Sequence, residues 1–123
     1  MKKFIMALVP ALMLMTSCNA QTKDGDVTVA EAKEMMQDDD VIVLDVRTPE
    51  EYEKGHIEGA TLINFYSDDF EQKINELPKD KEYVVYCHSG NRSGQAVQKM
   101  EAAGFTKAHN MTGGWSSWSS NKK

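Results

Sequence analysis

One short segment of the chain combines residue types that can carry out covalent chemistry. Cys87 follows the apolar run 83–86, and four residues separate it from Arg92, where a stretch with helical periodicity begins. A loop that enters a helix N-terminus points its backbone N–H groups inward and forms a cradle for anions. The same field stabilises a thiolate and so lowers the pKa of a cysteine. The spacing therefore predicts a nucleophilic thiol at Cys87.

Arg92 indicates what the thiol would act on. A cation within the first turn of a helix opposes the helix dipole unless an anion compensates its charge. A thiolate together with an oxyanionic substrate would supply that compensation, and Gly90 and Gly94 permit the tight backbone turns that the cradle needs. The alternative is a buried structural cysteine beside a solvated arginine. The position of both residues around this loop favours the reactive interpretation.

The elements that must position this loop can be predicted from local patterns. Apolar and β-branched runs predict four strands, at 41–44, 60–64, 83–86 and 108–111. Capping boxes and apolar residues at helical spacing predict four helices, which open at Thr28, Thr48, about residue 67 and Asn91. Strands that alternate with helices indicate an α/β fold with a parallel sheet, whose ligands bind at the carboxyl ends of the strands. Cys87 lies at such an end.

The composition narrows the classes of function. The chain has 123 residues, of which 41% are hydrophobic, and this balance is typical of a folded globular protein with one domain. Its formal net charge is −5 and the sequence has no Lys/Arg-rich run, which argues against nucleic-acid binding. Two cysteines cannot form a disulfide framework, and three scattered histidines give no metal-binding motif. Neither a metal nor a cofactor is expected.

The amino terminus is typical of an export signal. Lys2 and Lys3 precede an apolar run over residues 4–15, which is too short for a membrane span but suits the core of a signal peptide. The run ends in Met-Thr-Ser-Cys, a tetrapeptide that resembles a bacterial lipoprotein lipobox with Cys18 as the lipidated residue. The alternative is an ordinary cleaved signal followed by an incidental cysteine. Both interpretations predict export to the cell envelope or periplasm.

These features divide the chain into four segments. We expect a lipoprotein-type signal peptide at 1–17, a polar tether at 18–26, a folded domain at 27–118 and a polar tail at 119–123. Lipidation of Cys18 would make a membrane one partner of the protein, because several acyl chains together give stable insertion into a bilayer.

The loop 87–93 resembles the active-site loop of the single-domain rhodaneses, which are thiosulfate-type sulfurtransferases. Four further segments agree with the family in order and spacing: 44–47 with 51–52, 55–60, 77–80, and 104–105 with 113–115. One such motif is a weak signal, whereas five in register are a strong one. The resemblance covers residues 27–118. It implies a three-layer α/β sandwich with a five-stranded, mostly parallel sheet flanked by helices.

The resemblance also implies a mechanism. The Cys87 thiolate would attack the outer sulfur of a donor anion such as thiosulfate, release sulfite and keep the sulfur as a persulfide. A thiol, cyanide or a protein acceptor would then remove that sulfur. Asp45 and Arg47 would form a polar scaffold that supports the loop, while Arg92 would hold the oxyanion of the donor. The substrate-binding set implied for the loop consists of His88, Ser89, Gly90, Asn91, Arg92 and Ser93.

Two alternative functions stay open at the level of the sequence. Cysteine-dependent phosphatases and arsenate reductases also join a cysteine to an arginine by a short loop, but they typically place five residues between the two, and this chain places four. The smaller loop has space for a sulfur atom and would crowd a tetrahedral phosphate. A non-enzymatic sulfur carrier with one dedicated partner would need the same Cys87 and Arg92. Loop length and the intact pair favour a sulfurtransferase.

Overall fold

The computed structural model describes residues 25–120. The predicted signal peptide (1–17), the lipidation candidate Cys18, most of the tether 18–26 and the end of the tail 119–123 lie outside the described residues. Within residues 25–120, no helix has the length and apolar character that crossing a membrane requires.

Four parallel strands form the sheet that carries the loop. They are β1 (Ile42–Asp45), β2 (Thr61–Leu62), β3 (Tyr83–Tyr86) and β4 (Ala108–Asn110), in the spatial order β2-β1-β3-β4. All four residues of β3 are buried, as a central strand covered on both faces requires. The four strands predicted from local patterns are confirmed, although β2 is shorter than the predicted segment 60–64.

The family resemblance implied five strands, and the described residues contain four. Val27 forms a single parallel bridge with Met111 beside β4. Its N–H donates to the carbonyl of Asn110 at 2.9 Å, and its own carbonyl accepts from the N–H of Thr112 at 2.8 Å. Because the first helix begins at Val29, the chain leaves the sheet after this one residue. The fifth strand is therefore reduced to a bridge.

Helices cover both faces of the sheet and complete the three-layer sandwich. They are α1 (Val29–Met35), α2 (Pro49–Lys54), α3 (Phe70–Asn75), α4 (Asn91–Ala102) and α5 (Gly114–Ser120). Side chains of α3 and α4 pack in one apolar cluster with Val85, and side chains of α1, α2 and α5 pack in a second cluster with Val84. Two clusters form because successive side chains of a strand point to opposite faces of the sheet.

Two short helices start at the capping boxes that the sequence predicted. In α1 the Thr28 hydroxyl accepts from the N–H of Glu31, while the Glu31 carboxylate accepts from the N–H of Thr28. Thr48 and Glu51 form the same arrangement at the start of α2. Helices of seven and six residues are marginal in isolation, so these caps and packing on the sheet determine where they begin.

Helix α5 was not predicted, because its Gly-Trp-Ser-Ser-Trp sequence contains no strong helix former. The loop after β3 supplies acceptors for its first turn. The N–H of Trp115 donates to the carbonyl of Cys87 at 2.8 Å, and the N–H of Ser116 donates to the carbonyl of His88 at 2.9 Å. The helix extends to Ser120 and thus includes the first two residues of the predicted polar tail. Tertiary contacts rather than propensity make this segment helical.

Replacement of Gly114 by alanine should destabilise the fold at this junction. A Cβ atom there would lie 2.5 Å from the carbonyl oxygen of Cys87 and 2.7 Å from that of His88, at a φ of +55°. Gly59→Ala is the matched control, because Gly59 also has a positive φ, of +87°, but no atom within 4 Å of the added Cβ.

We expect Gly59→Ala to lower the free energy of unfolding by about 1–2 kcal/mol through backbone strain alone. Gly114→Ala should lose about 1–3 kcal/mol more, because its Cβ overlaps backbone atoms. Urea titration of both variants measures the difference. Equal losses would contradict a tight contact between α5 and the loop.

Candidate active site

The thiol of Cys87 lies at the carboxyl end of β3 and is surrounded by hydrogen-bond donors. Its Sγ accepts from the N–H of Gly90 at 3.1 Å, from the N–H of Ser93 at 3.4 Å and from the Ser93 hydroxyl at 3.4 Å. Only 1% of the residue is exposed, so the sulfur is recessed in the loop. The cradle predicted from the loop-to-helix pattern is present, and the sulfur atom itself occupies its centre.

Two opposing effects act on the pKa of Cys87. Burial raises the pKa, since the charged thiolate loses solvation. Hydrogen bonds from the Ser93 hydroxyl and from the amides of Ser93, Gly90 and Ser89 lower it, and together they outweigh burial. The pKa of Cys87 therefore lies below its ordinary value. A lowered pKa makes the nucleophilic form more abundant near neutral pH.

The turn at Gly90 aims its amide at the sulfur. Gly90 has a φ of +112°, a left-handed conformation that side chains disfavour, and it directly precedes α4. The carbonyl of Gly90 points the other way and accepts from Nδ2 of Asn110 at 3.3 Å. The residue thus contributes its N–H to the cradle, while its carbonyl accepts from the N–H of Gly94 in α4 at 3.0 Å as well as from β4.

Asn110, the last residue of β4, also controls the hydroxyl of Ser93. Ser93 is fully buried, and its Oγ donates to Oδ1 of Asn110 at 2.6 Å. A hydroxyl carries one hydrogen, so Ser93 can donate either to Asn110 or to Sγ at any moment. Sequence reasoning missed Asn110. The available signal was a polar residue at the end of a strand, on the same edge of the sheet as Cys87.

Asp45 and Arg47 form a buried ion pair at the end of β1. The Arg47 Nε and one terminal nitrogen donate to the Asp45 carboxylate at 2.9 and 2.7 Å, and the residues are 2% and 0% exposed. The same terminal nitrogen donates to the carbonyl of Gly55 at 2.6 Å. Removing one partner from a buried pair typically costs about 3–5 kcal/mol, so the two side chains depend on each other.

The pair supports the loop indirectly through aromatic neighbours. The Arg47 guanidinium lies 5.4 Å from the ring centre of Tyr86 and 5.0 Å from that of Trp115. Tyr86 immediately precedes Cys87, and its hydroxyl accepts from the N–H of Ile57 at 3.0 Å. Burial, followed by the interaction with Asp45, raises the pKa of Tyr86. The described contacts of the pair reach β3, α5 and the carbonyl of Gly55, and the scaffold role expected for Asp45 and Arg47 stays a prediction.

Arg92 is engaged by a carboxylate that the sequence analysis did not include in the site. Its two terminal nitrogens donate to Oε1 and Oε2 of Glu51 at 2.9 and 3.1 Å, so the whole guanidinium fork faces this residue. The guanidinium also lies 5.6 Å from the ring centre of Tyr66, which is 66% exposed. The expected partner of Arg92 was the oxyanion of a donor. In the structure the guanidinium is paired with Glu51, and the role of Arg92 toward a donor stays a prediction.

Glu51 has two functions at once. Its carboxylate caps α2 through Thr48, which the sequence predicted, and it pairs with Arg92, which lies 41 positions further along the chain. The hydrogen bond from Arg92 is the largest effect on this group and lowers the pKa of Glu51 to about 2. Local spacing reveals the cap but carries no information about a contact over such a separation.

The remaining loop residues contribute backbone rather than side chains. His88, Ser89 and Asn91 are exposed, and the Asn91 side chain accepts from Gln95 at 2.8 Å. Of the six loop residues predicted to bind substrate, Ser93 alone brings a side-chain hydrogen bond to Sγ among the described contacts. The arrangement is a recessed thiol with a lowered pKa in a cradle of amides, suited to covalent chemistry on sulfur.

Comparison with known families agrees with this geometry. The model of the rhodanese-like domain matches residues 28–121, which is most of the chain. The chain belongs to the rhodanese-like domain family. The α/β sandwich described above is the fold of that family. The Rhodanese-like Domain Protein from Staphylococcus aureus superposes with a TM-score of 0.67 at 34% identity, over 76% of this chain and 89% of that one.

Relatives with assigned names include sulfurtransferases. Thiosulfate sulfurtransferase 18 of Arabidopsis thaliana is 32% identical in an alignment that covers 83% of this chain and 85% of the plant protein. YrkF of Bacillus subtilis, which bears a provisional sulfur-carrier name, is 41% identical over 81 residues. That match covers 66% of this chain and 43% of YrkF, so the chain spans less than half of that relative.

Ser93→Ala should raise the pKa of Cys87, because it removes one donor to the thiolate and leaves the amide donors in place. The thiolate is the reactive form, so the pH profile of alkylation should move to higher pH. We expect the rate of alkylation by iodoacetamide near pH 7 to fall about tenfold. Mass mapping of the alkylated peptide confines the measurement to Cys87.

Ser119→Ala, at an exposed serine in α5, is the control and should keep the profile of the unsubstituted protein. If Ser93→Ala keeps that profile as well, the Ser93 hydroxyl donates its hydrogen bond to Asn110 and does not stabilise the thiolate.

Proposed function

We propose that this protein is a sulfurtransferase that carries a sulfane sulfur on Cys87. The observation that carries the proposal is the recessed sulfur with a lowered pKa, which accepts hydrogen bonds from Gly90 and Ser93. Membership of the rhodanese-like family and the name of the Arabidopsis relative support the same chemistry. The proposed substrates are a small sulfur-donor compound, such as thiosulfate, and a nucleophilic acceptor.

In the first half-reaction the Cys87 thiolate attacks the outer sulfur of the donor. A bond forms between Sγ and that sulfur, the bond from the outer sulfur to the rest of the donor breaks, and the leaving group takes the electron pair. With thiosulfate the leaving group is sulfite. The amides of Ser89, Gly90 and Ser93 would stabilise negative charge on the resulting persulfide, as preorganised donors do for developing anions.

In the second half-reaction a thiol, cyanide or a protein acceptor attacks the outer sulfur of the persulfide. The Sγ–S bond breaks, the sulfur leaves with the acceptor, and the Cys87 thiolate is restored. Splitting the transfer into two displacements is the usual advantage of nucleophilic catalysis. The hydrogen bonds that lower the pKa of Cys87 also make its thiolate a better leaving group in this step.

The arrangement favours sulfur chemistry over phosphate chemistry. A cysteine-dependent phosphatase needs its loop arginine to bind a tetrahedral dianion, whereas the fork of Arg92 is paired with Glu51. A dedicated sulfur carrier would use the same persulfide but would not turn over with small donors and acceptors. Catalytic turnover therefore distinguishes an enzyme from a carrier.

Treatment of the full chain with a sulfane-sulfur donor should add one sulfur atom to Cys87. Cyanide or dithiothreitol should remove it, because both attack the outer sulfur of a persulfide. Cys87→Ser should retain the fold and lose the adduct. Mass mapping of the peptides identifies the modified residue.

Turnover is measured in parallel with thiosulfate and cyanide and with an aryl phosphate. Efficient hydrolysis of the aryl phosphate, or transfer at an unchanged rate in Cys87→Ser, would contradict the sulfurtransferase assignment. A persulfide that forms without turnover would support the carrier alternative.

We also propose that the protein is exported to the cell envelope and anchored to a membrane through lipid on Cys18. The support lies in the sequence of residues 1–18, which combines two lysines, an apolar core and the lipobox-like tetrapeptide. Cys18→Ser should move the protein from the membrane fraction to the soluble fraction of cells, as detected by immunoblot. Cys87→Ser is the matched control and should stay with the membranes. Membrane association of Cys18→Ser would contradict the anchor.

A further inference from the structure

We propose that Asn110 is a positioning residue that competes with Sγ of Cys87 for the single hydroxyl hydrogen of Ser93, and so sets the balance between the bare thiolate and the sulfur-loaded cysteine. The inference rests on the proposed persulfide at Cys87. It deepens that function by naming a residue of another strand that biases both half-reactions.

The side chain of Asn110 has a fixed orientation beside the loop. It is 8% exposed, and its Nδ2 donates to the carbonyl of Gly90 at 3.3 Å. A backbone carbonyl can only accept, so this contact identifies the nitrogen and turns Oδ1 toward Ser93. Oδ1 accepts from the Ser93 hydroxyl at 2.6 Å, whereas the same hydroxyl lies 3.4 Å from Sγ. One buried hydrogen thus has two buried acceptors.

The charge on Cys87 decides which acceptor receives that hydrogen. In the neutral state the thiol S–H can donate to the Ser93 oxygen while Ser93 donates to Asn110, so every group is paired. When the thiol proton passes to water, the Ser93 hydrogen turns about the Cβ–Oγ bond toward the thiolate, and Oδ1 of Asn110 loses its donor. A buried acceptor without a donor is unfavourable. Asn110 therefore opposes the bare thiolate.

Loading with sulfur reverses this switch. In the persulfide the negative charge lies on the outer sulfur, and Sγ becomes a divalent sulfur, which is a weak acceptor. The Ser93 hydrogen can then return to Asn110, while the backbone amides of the cradle stay available to the sulfur atoms. Asn110 thus disfavours the bare thiolate relative to the loaded cysteine. It promotes the attack on the donor and slows the release of sulfur to the acceptor.

The charged groups around the loop take no part in this competition. Arg92 of α4 interacts electrostatically with the Cys87 thiolate and is paired with Glu51 of α2. At the end of β1, Arg47 is paired with Asp45. Because the side chain that is exchanged is neutral, its substitution changes none of these charges. The other titratable groups next to the loop or on β3 and β4 are Tyr83, Tyr86, His88 and His109.

The first test is a double-mutant cycle on the full chain. Asn110→Leu keeps a side chain of similar size and removes the acceptor, and Ser93→Ala removes the hydrogen for which the two acceptors compete. The pH profile of Cys87 alkylation by iodoacetamide is measured for both variants and for the double variant, with mass mapping of the alkylated peptide. Asn75→Leu, at an exposed asparagine that ends α3, is the matched control.

Asn110→Leu should move the midpoint of the profile to lower pH, because the Ser93 hydrogen becomes free to stabilise the thiolate. Ser93→Ala should move it to higher pH, and the double variant should match Ser93→Ala. A disturbed loop alone would not give this opposition of sign. A midpoint that stays or rises in Asn110→Leu would overturn the inference. So would an Asn110→Leu shift that persists without the Ser93 hydroxyl, since it would then act through Gly90.

The second test measures sulfur loading at equilibrium. The protein is incubated with a fixed ratio of cysteine persulfide to cysteine at a pH above the midpoint, and mass spectrometry gives the loaded fraction of Cys87. Asn110→Leu should lower the ratio of loaded to unloaded Cys87 about tenfold, because the bare thiolate keeps the Ser93 hydrogen bond. An unchanged ratio would overturn the inference. Absence of loading in the unsubstituted protein would instead overturn the proposed function.

A third measurement needs no variant at Asn110. The side-chain carbonyl carbon of Asn110 is followed by NMR while Cys87 is titrated and then loaded with cysteine persulfide. Its resonance should move as Cys87 ionises, because Oδ1 loses its donor, and should return toward its starting position in the persulfide. A resonance that stays constant through the ionisation of Cys87 would overturn the inference even if Asn110→Leu did not fold.

Discussion

The loop after β3 has to point several N–H groups at one sulfur atom, and this turns its carbonyl groups away from the sulfur. Those carbonyls need donors of their own. Helix α5 supplies two, from Trp115 and Ser116, and Asn110 supplies a third to Gly90. Strand β4 and helix α5 therefore also serve the loop that surrounds the thiol, because they supply donors to its carbonyls.

Each of the two arginines forms an ion pair with a carboxylate, and the two pairs differ in how deeply they are buried. The pair of Arg47 with Asp45 is buried and joins the ends of β1 and α2 to aromatic rings next to the loop. The pair of Arg92 with Glu51 is 17% and 33% exposed and lies beside an exposed tyrosine. The inner pair is expensive to break, whereas the outer one can respond to solvent, salt and ligands.

Local sequence patterns were sufficient to predict the features that depend on residues a few positions apart. The strand before Cys87, the two capping boxes and the amide cradle follow from neighbours a few positions apart. Helix α5 was missed because its residues are poor helix formers and its first turn is capped by a loop far away in sequence. The hydrogen bond between Ser93 and Asn110 and the pair of Glu51 with Arg92 were missed because they join residues that are 17 and 41 positions apart in the sequence.

The bridge at Val27 ties the amino-terminal segment to the edge of the sheet. The amino-terminal segment enters the domain through two backbone hydrogen bonds, to Asn110 and Thr112, at the edge of the sheet. The side chain of that same Asn110 accepts from the hydroxyl of Ser93, which can alternatively donate to the sulfur. A pulling force on the amino-terminal segment would therefore act first on β4, at the residue whose side chain accepts from the Ser93 hydroxyl beside the sulfur.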